Sequence, residues 1–304
     1  MFADVDPDTF CLDVNAVAEA ITDRTRAVIA VNLFGHPAPL MELKKLCEAK
    51  GIALVEDNAQ GPLAMEGGRY AGTIGDIGVY SLNYHKHIHA GEGGICVTSN
   101  ENLKVRLQAV RNHAENVVEQ AEIEPITNMV GFNYRMTEMS AAVAISQLQK
   151  IDFHVERRRS LALKLSEGVS DLPGIQAPKI RDDCHHVFYL WSIKLDEAVL
   201  GVSRERFSEA LQAEGFPHLL GYVKPLYNLP LFKRRTAIGR DGWPFSLTDR
   251  TYEQGLCPVA EKLYAEELLG YEVCMYKVDD IQVGQLVEAI RKVHNNIPQL
   301  RIGI

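Results

Sequence analysis

The stretch 26–57 constrains the fold of this chain more than any other. "RAVIAVNLFG" ends an apolar, branched run; "PLMELKKLCEAKG" sets Leu40, Leu43 and Cys47 on one helical face and stops at Gly51; "IALVED" reads as a buried strand. A strand, a helix and a second strand joined this closely form a crossover that is normally right-handed and makes the two strands parallel. Asp57 then falls at the carboxyl end of a strand, which is where open α/β sheets place their ligands.

Further along, "DIGVYSLN" and "GGICVTSN" read as two more strands and "ENLKVRLQAVRNH" as a helix. A long helical pattern follows Tyr134 through "MTEMSAAVAISQLQKIDFHVERRRSLALKLSEGV", with Met136, Met139, Val143 and Leu148 in a stripe. After "DLPGIQAPKI" the character changes to a strand at "HHVFYLWSIKL", a helix at "SRERFSEALQAEG" and a region rich in Pro, Tyr and Trp. The closing helix carries Asp279 and Asp280 at its start and Arg291 and Lys292 near its end, as the helix dipole favours, with Val283, Leu286, Val287 and Ile290 facing inward. The chain, 304 residues long, is more than one typical domain. The expected organisation is a large α/β domain over 1–160 and a smaller α+β domain over 161–304.

No apolar run approaches the ~20 residues that span a bilayer. The start, "MFADVDPDTF", carries Asp4, Asp6 and Asp8 in place of a basic, apolar signal, so a cytoplasmic protein is expected. A net charge of −8 disfavours nucleic acid and anionic membranes as partners and leaves a small molecule as the expected ligand. The six cysteines have no CxxC spacing, which gives neither a disulfide framework nor a zinc knuckle and leaves buried free thiols as the default.

The chemistry concentrates in "SLNYHKHIHAGEGG", residues 81–94. In an extended strand His85, His87 and His89 would share one face, and neutral imidazoles suit zinc. Imidazoles beside a glycine turn also serve as ordinary hydrogen-bonding loop residues, and no metal is the expectation. The competing reading centres on Lys86, whose amine suits Schiff-base chemistry once burial or a neighbouring cation favours its neutral form. Its carbonyl partner would be pyridoxal phosphate (PLP), an electron sink whose pyridine nitrogen stays protonated over a buried carboxylate. Asp57 is placed for that role, although an Asp after a strand also caps loops.

"VEDNAQ" (55–60), "GTIGDIGVYSLNYHKHIHAGEGG" (72–94) and "GFNYRMTEMSAAVAISQL" (131–148) resemble, in order and spacing, the DegT/DnrJ/EryC1/StrS family of sugar aminotransferases. The resemblance runs over nearly the whole chain. It implies an α/β fold of the PLP-dependent transferase type I, like aspartate aminotransferase, with a smaller α+β C-terminal domain. Carried over where the residues match, it implies that Lys86 links to PLP, Asp57 pairs with the pyridine nitrogen and Gln60 meets the ring or its hydroxyl. Ser81 would donate to the phosphate, and Asn133 would reach the phosphate in the other subunit of a homodimer. His85, His87 and His186 are candidate substrate contacts, and His185 and Tyr189 are candidates for the same cleft; loop histidines without a ligand and a strand with alternating core aromatics explain these residues as well. The implied reaction moves the amine of a donor such as glutamate to the keto group of a nucleotide-linked sugar, in polysaccharide biosynthesis.

Two departures qualify the match. Many members have a histidine three residues before the lysine, where this chain has Asn83. Members also carry an N-terminal segment with a Ser-Gly-Thr turn whose amides hold the phosphate; no equivalent precedes "MFADVDP", so a second polypeptide supplying it is one expectation. A non-catalytic half of a split enzyme, a PLP-dependent sugar dehydratase and a His-rich metal hydrolase remain as alternative readings.

Overall fold

The computed structural model describes residues 1–115, 123, 129–275 and 277–301. The chain forms two compact units, each assembled from separated stretches. Thr22–Arg159 joins Arg181–Tyr189 in the first, and Met1–Ile21, Ser160–Ile180 and the chain from Leu190 onward make the second.

The first unit is built on the crossover. Strand β1 (Ala27–Val31) leads through a tight turn to helix α1 (Leu40–Lys50) and strand β2 (Ala53–Asp57). Leu40, Leu43 and Cys47 are buried, and Gly51 ends the helix in the left-handed conformation (φ 65°), its N–H returning to the Cys47 carbonyl. β1 and β2 are parallel, with Val31 opposite Asp57. β3 (Ile77–Ser81) lies parallel on the other side of β2, with Asp57 opposite Val79. β4 (Gly94–Val97) returns antiparallel to β3, so among the described residues the sheet order is β1-β2-β3-β4. Helix α2 (Glu101–Arg111) follows, capped by Asn100, whose side chain accepts the Leu103 N–H.

The long helical pattern resolves into two helices, α3 (Glu138–Leu148) and α4 (Ile151–Val169). Their junction tightens to an i−3 bond from the Lys150 N–H to the Gln147 carbonyl. Neither Gly nor Pro marks the break, so helical periodicity runs through it unbroken. The stripe is also not a core face: α3 buries no residue, and Met139 is 79% exposed.

The expected strand over 185–195 is likewise two strands. Cys184–His185 pairs with Met65–Glu66 in the first unit, whereas β5 (Trp191–Leu195) lies in the second. Phe188 stands between them at φ 51°, a left-handed conformation that ends regular pairing.

In the second unit β5 is central to an antiparallel sheet, between β6 (Leu268–Tyr271) and Ile175–Gln176, with Leu219–Leu220 beyond β6. Helices α5 (Arg204–Ala213) and α6 (Asp280–Asn295) pack together. α6 opens with a reciprocal capping box between Asp279 and Gln282 and buries Val283 and Ile290, as its sequence implies. All six cysteines are free; Cys11, Cys47 and Cys257 are buried, but Cys96 is exposed. Among the described residues, no helix is long and apolar enough to cross a membrane.

Candidate active site

Successive residues of a strand point to opposite faces, and "VEDNAQ" uses both. Glu56 and Asn58 are fully buried. Glu56 accepts the backbone N–H groups of Gly72, Ile74 and Gly75 at 2.5–2.7 Å, which fixes the loop that enters β3. Asn58 donates to the Ala71 carbonyl and accepts from Asn32, which in turn accepts the Ala38 N–H. Asp57 takes the other face at the carboxyl end of β2 and is only half buried. Its Oδ1 accepts the Ala59 N–H at 3.1 Å, and a carboxylate keeps further acceptor capacity beyond that bond.

β3 delivers the second set. Ser81 ends it, two residues past the partner of Asp57. Its Oγ accepts the Asn83 N–H at 3.2 Å, leaving the hydroxyl proton to point elsewhere. Lys86 lies in the connection to β4, which closes on itself: the Leu82 N–H donates to Gly93 and the Ala90 N–H to Leu82. Asn83, at the position where many relatives have histidine, braces this loop. Its carbonyl accepts the Lys86 N–H at 3.0 Å and its amide donates to Glu92 at 2.6 Å.

Residues 84–88 are turns and bends, so the extended backbone that would align His85, His87 and His89 on one face is not formed. His85 lies edge-on to Tyr84 and tilted against Tyr189. His87 is buried, and Arg158 of α4 donates to both its carbonyl (2.7 Å) and its Nδ1 (3.2 Å). His186 is buried and stacked on Phe188, with ring centroids 3.9 Å apart. Gln60 turns inward, its Oε1 accepting the Phe34 N–H at 2.6 Å. Asn133 sits exposed in a loop bridged to Asn112 at the end of α2, beside the stacked and exposed rings of Phe132 and Tyr134. The structure therefore brings Asp57, Ser81 and Lys86 to the carboxyl ends of two adjacent parallel strands.

Sequence reasoning missed Glu56 and Arg158. Glu56 left one signal, since of two adjacent acids in a buried strand one must face inward and be hydrogen-bonded. Arg158 sits among three consecutive arginines that read as a solvated helix face.

Burial holds His87 well below the ordinary histidine value, and the Arg158 charge adds to it; burial does the same for His186, with His36 the next cause. Arg158 does not give up its proton, so its bond to Nδ1 makes Nε2 the protonated nitrogen of His87. In the unfolded chain both histidines protonate near about pH 6.5. The unfolded state thus binds more protons as the pH falls, and stability is lost on the acid side, from roughly pH 6.5 down through the depressed folded values. The expected outcome is a Tm that falls by several degrees between about pH 7.5 and pH 5.5. His87→Gln, whose amide oxygen can still accept from Arg158, should flatten that slope in a series of melts against pH.

The family model that matches over residues 1–270 is the DegT/DnrJ/EryC1/StrS aminotransferase family. The chain belongs to this family. A relative from Micromonospora echinospora, named as a putative L-glutamine:3-amino-2,3-dideoxy-scyllo-inosose aminotransferase, is 30% identical over 99% of this chain and 72% of its own. Solved structures are similar in fold as well. DesI, solved in the presence of its TDP-sugar product, aligns with TM-score 0.81 and 26% identity over 99% of this chain and 70% of its own. E. coli GDP-4-keto-6-deoxy-D-mannose-3-dehydratase, solved with bound hydrated PLP, aligns with TM-score 0.74 and 26% identity over 95% and 73%. The fold is that of the PLP-dependent type I transferases, and the chain is a PLP-dependent sugar aminotransferase. Its residues fit the cofactor chemically: an amine for the aldehyde, a carboxylate for the pyridine nitrogen and a hydroxyl for the phosphate.

Proposed function

We propose that the enzyme transfers the amino group of glutamate, or of its amide glutamine, to the keto carbon of a nucleotide-linked sugar. The observation that carries this reading is the placement of Lys86 on a pinned loop five residues beyond Ser81, with Asp57 on the neighbouring parallel strand. The product named for DesI supports the nucleotide-linked acceptor, and the donor named for the Micromonospora relative supports the amide.

In this reading Lys86 would hold PLP covalently, Asp57 would serve its ring nitrogen, Gln60 its ring or hydroxyl, and Ser81 its phosphate. When bound, PLP supplies an electron sink for the carbon next to the amino group being moved. Lys86, released as an amine, takes the proton from the α-carbon of the donor, which requires Nζ within one hydrogen bond or one water of that carbon. Asp57, as an anion, keeps a proton on the atom it faces. His85, at the loop surface, is positioned to meet the substrate. His87 and His186, both buried, hold the loop and its neighbouring turn.

The active form proposed is a cytoplasmic homodimer. The apolar face of α3, with Phe132 and Tyr134 beside it, is large for a surface left in water. A second copy covering it would carry Asn133 toward the partner's site. β1 and β4 are the edges of the sheet among the described residues, and Ile29 and Ile95 are exposed there. Backbone from outside this sequence, on the same or another polypeptide, would add along those edges.

The test loads the protein with PLP, reduces it with borohydride and maps the modified peptide. A pyridoxyl group on Lys86, and amine transfer from glutamate or glutamine to a nucleotide-linked keto sugar, are the expected results. An adduct at another lysine overturns the site. A product that has lost a hydroxyl and gained no nitrogen assigns dehydration instead.

A further inference from the structure

Arg181–Tyr189 follows α4 by more than ten residues, yet it folds into the first unit. It is moored along its length. Arg181 pairs with the buried Glu66 at 2.8 Å and donates to the Pro37 and Ala38 carbonyls, and its own N–H donates to His36 Nε2. The Asp183 carbonyl accepts from Gly67, and His185 pairs with Met65. The Val187 and Tyr189 N–H groups donate to Gly35 and Phe34, just past the end of β1.

That last pairing is bought with backbone strain. Phe34 and Phe188 both adopt left-handed conformations, at φ 60° and 51°. Gly35 has φ 90°, and a Cβ there would lie 2.8 Å from Val187 and 3.0 Å from the Tyr189 nitrogen. What the arrangement delivers is one ring: Tyr189 is buried, and its centroid lies 4.7 Å from Lys86 Nζ.

We propose that Tyr189 is a positioning residue for Lys86, presenting an aromatic face that holds the lysine side chain when it is not bonded to the cofactor, most strongly in the protonated form it has before the cofactor is loaded and after it has taken the donor's proton. A transaminase lysine alternates between a covalent bond and a released amine, and the released amine must stay near the carbon it serves. A ring face attracts an ammonium without giving it a hydrogen-bond acceptor to be pulled away from, and it restricts the swing of a four-carbon stem. The inference rests on the reading of Lys86 as the cofactor lysine.

The experiment uses the full chain free of PLP and measures how fast Lys86 is acylated by acetic anhydride at fixed pH, read by peptide mass spectrometry. Tyr189→Phe keeps the ring face, and its rate should match wild type within about twofold. Tyr189→Leu removes the face, and acylation of Lys86 should speed up by roughly 2–5-fold, the lower end of the range for a cation–π contact. Equal rates in both variants and wild type overturn the proposal. If the leucine variant does not fold, Tyr189→Trp replaces it: the stronger face should slow the labelling, and an unchanged or faster rate overturns the idea. Borohydride mapping of PLP-loaded wild type is the separate control. Absence of a Lys86 adduct there removes the assignment of the lysine and leaves the labelling result as a statement about the contact alone.

Discussion

Replacing Lys86 with alanine should abolish the transferase activity, lowering kcat/KM by ~10³-fold or more. Lys86→Arg should do no better, because a guanidinium keeps the charge but can neither bond to an aldehyde carbon nor give up a proton. Two further readouts separate this from misfolding. The Tm of both variants should stay near wild type, since the Lys86 backbone N–H, which still donates to Asn83, is what fixes the loop. Borohydride should leave no pyridoxyl group on the loop peptide. Retained activity in either variant would mean that another residue moves the proton.

The chain order around the candidate site was legible in the sequence because it is local. A strand–helix–strand pattern places Asp57 at a strand end, and the five-residue step from Ser81 to Lys86 belongs to one connection. Both features survive as read, since β1 and β2 are parallel and Lys86 lies in the connection from β3 to β4. What periodicity could not give was what lies across from each side chain. The stripe on α3 has the spacing of a core face and is exposed, because spacing records that a face is apolar without recording what covers it. The run over 185–195 has the composition of one strand and is divided, because Phe188 takes a left-handed turn that nothing in its chemistry announces. The same division carries Tyr189 to Lys86, a contact between residues about a hundred positions apart that no short-range pattern encodes. Asn83 is the intermediate case. The departure from the family pattern was visible, but its consequence, an amide clasp to Glu92 that holds the lysine loop, required the fold.

Glu56 and Asp57 are neighbours in sequence with the same functional group, and their substitutions should have opposite signatures. Glu56 is fully buried, and its carboxylate satisfies three backbone donors from the Gly72–Gly75 loop. Removing it by Glu56→Ala leaves those N–H groups without water or partner, at a cost of about 3–4 kcal/mol, which corresponds to a Tm lower by roughly 5 °C. Gly78 packs its α-carbon against the Gly72 backbone, so the disturbance reaches the middle of β3 and through it the start of the lysine loop. Any activity loss in Glu56→Ala should therefore follow the loss of folded protein and recover on cooling. Asp57→Asn keeps the shape and the Oδ1 that accepts from Ala59 but removes the negative charge. Its Tm should move by less than about 2 °C, while kcat falls by ~10²-fold or more, because a neutral amide no longer holds a proton on the atom it faces. Melting curves and single-turnover rates on the same two preparations distinguish the roles. A stable Glu56→Ala, or an Asp57→Asn that turns over at the wild-type rate, would mean that the two faces of β2 have been assigned the wrong way round.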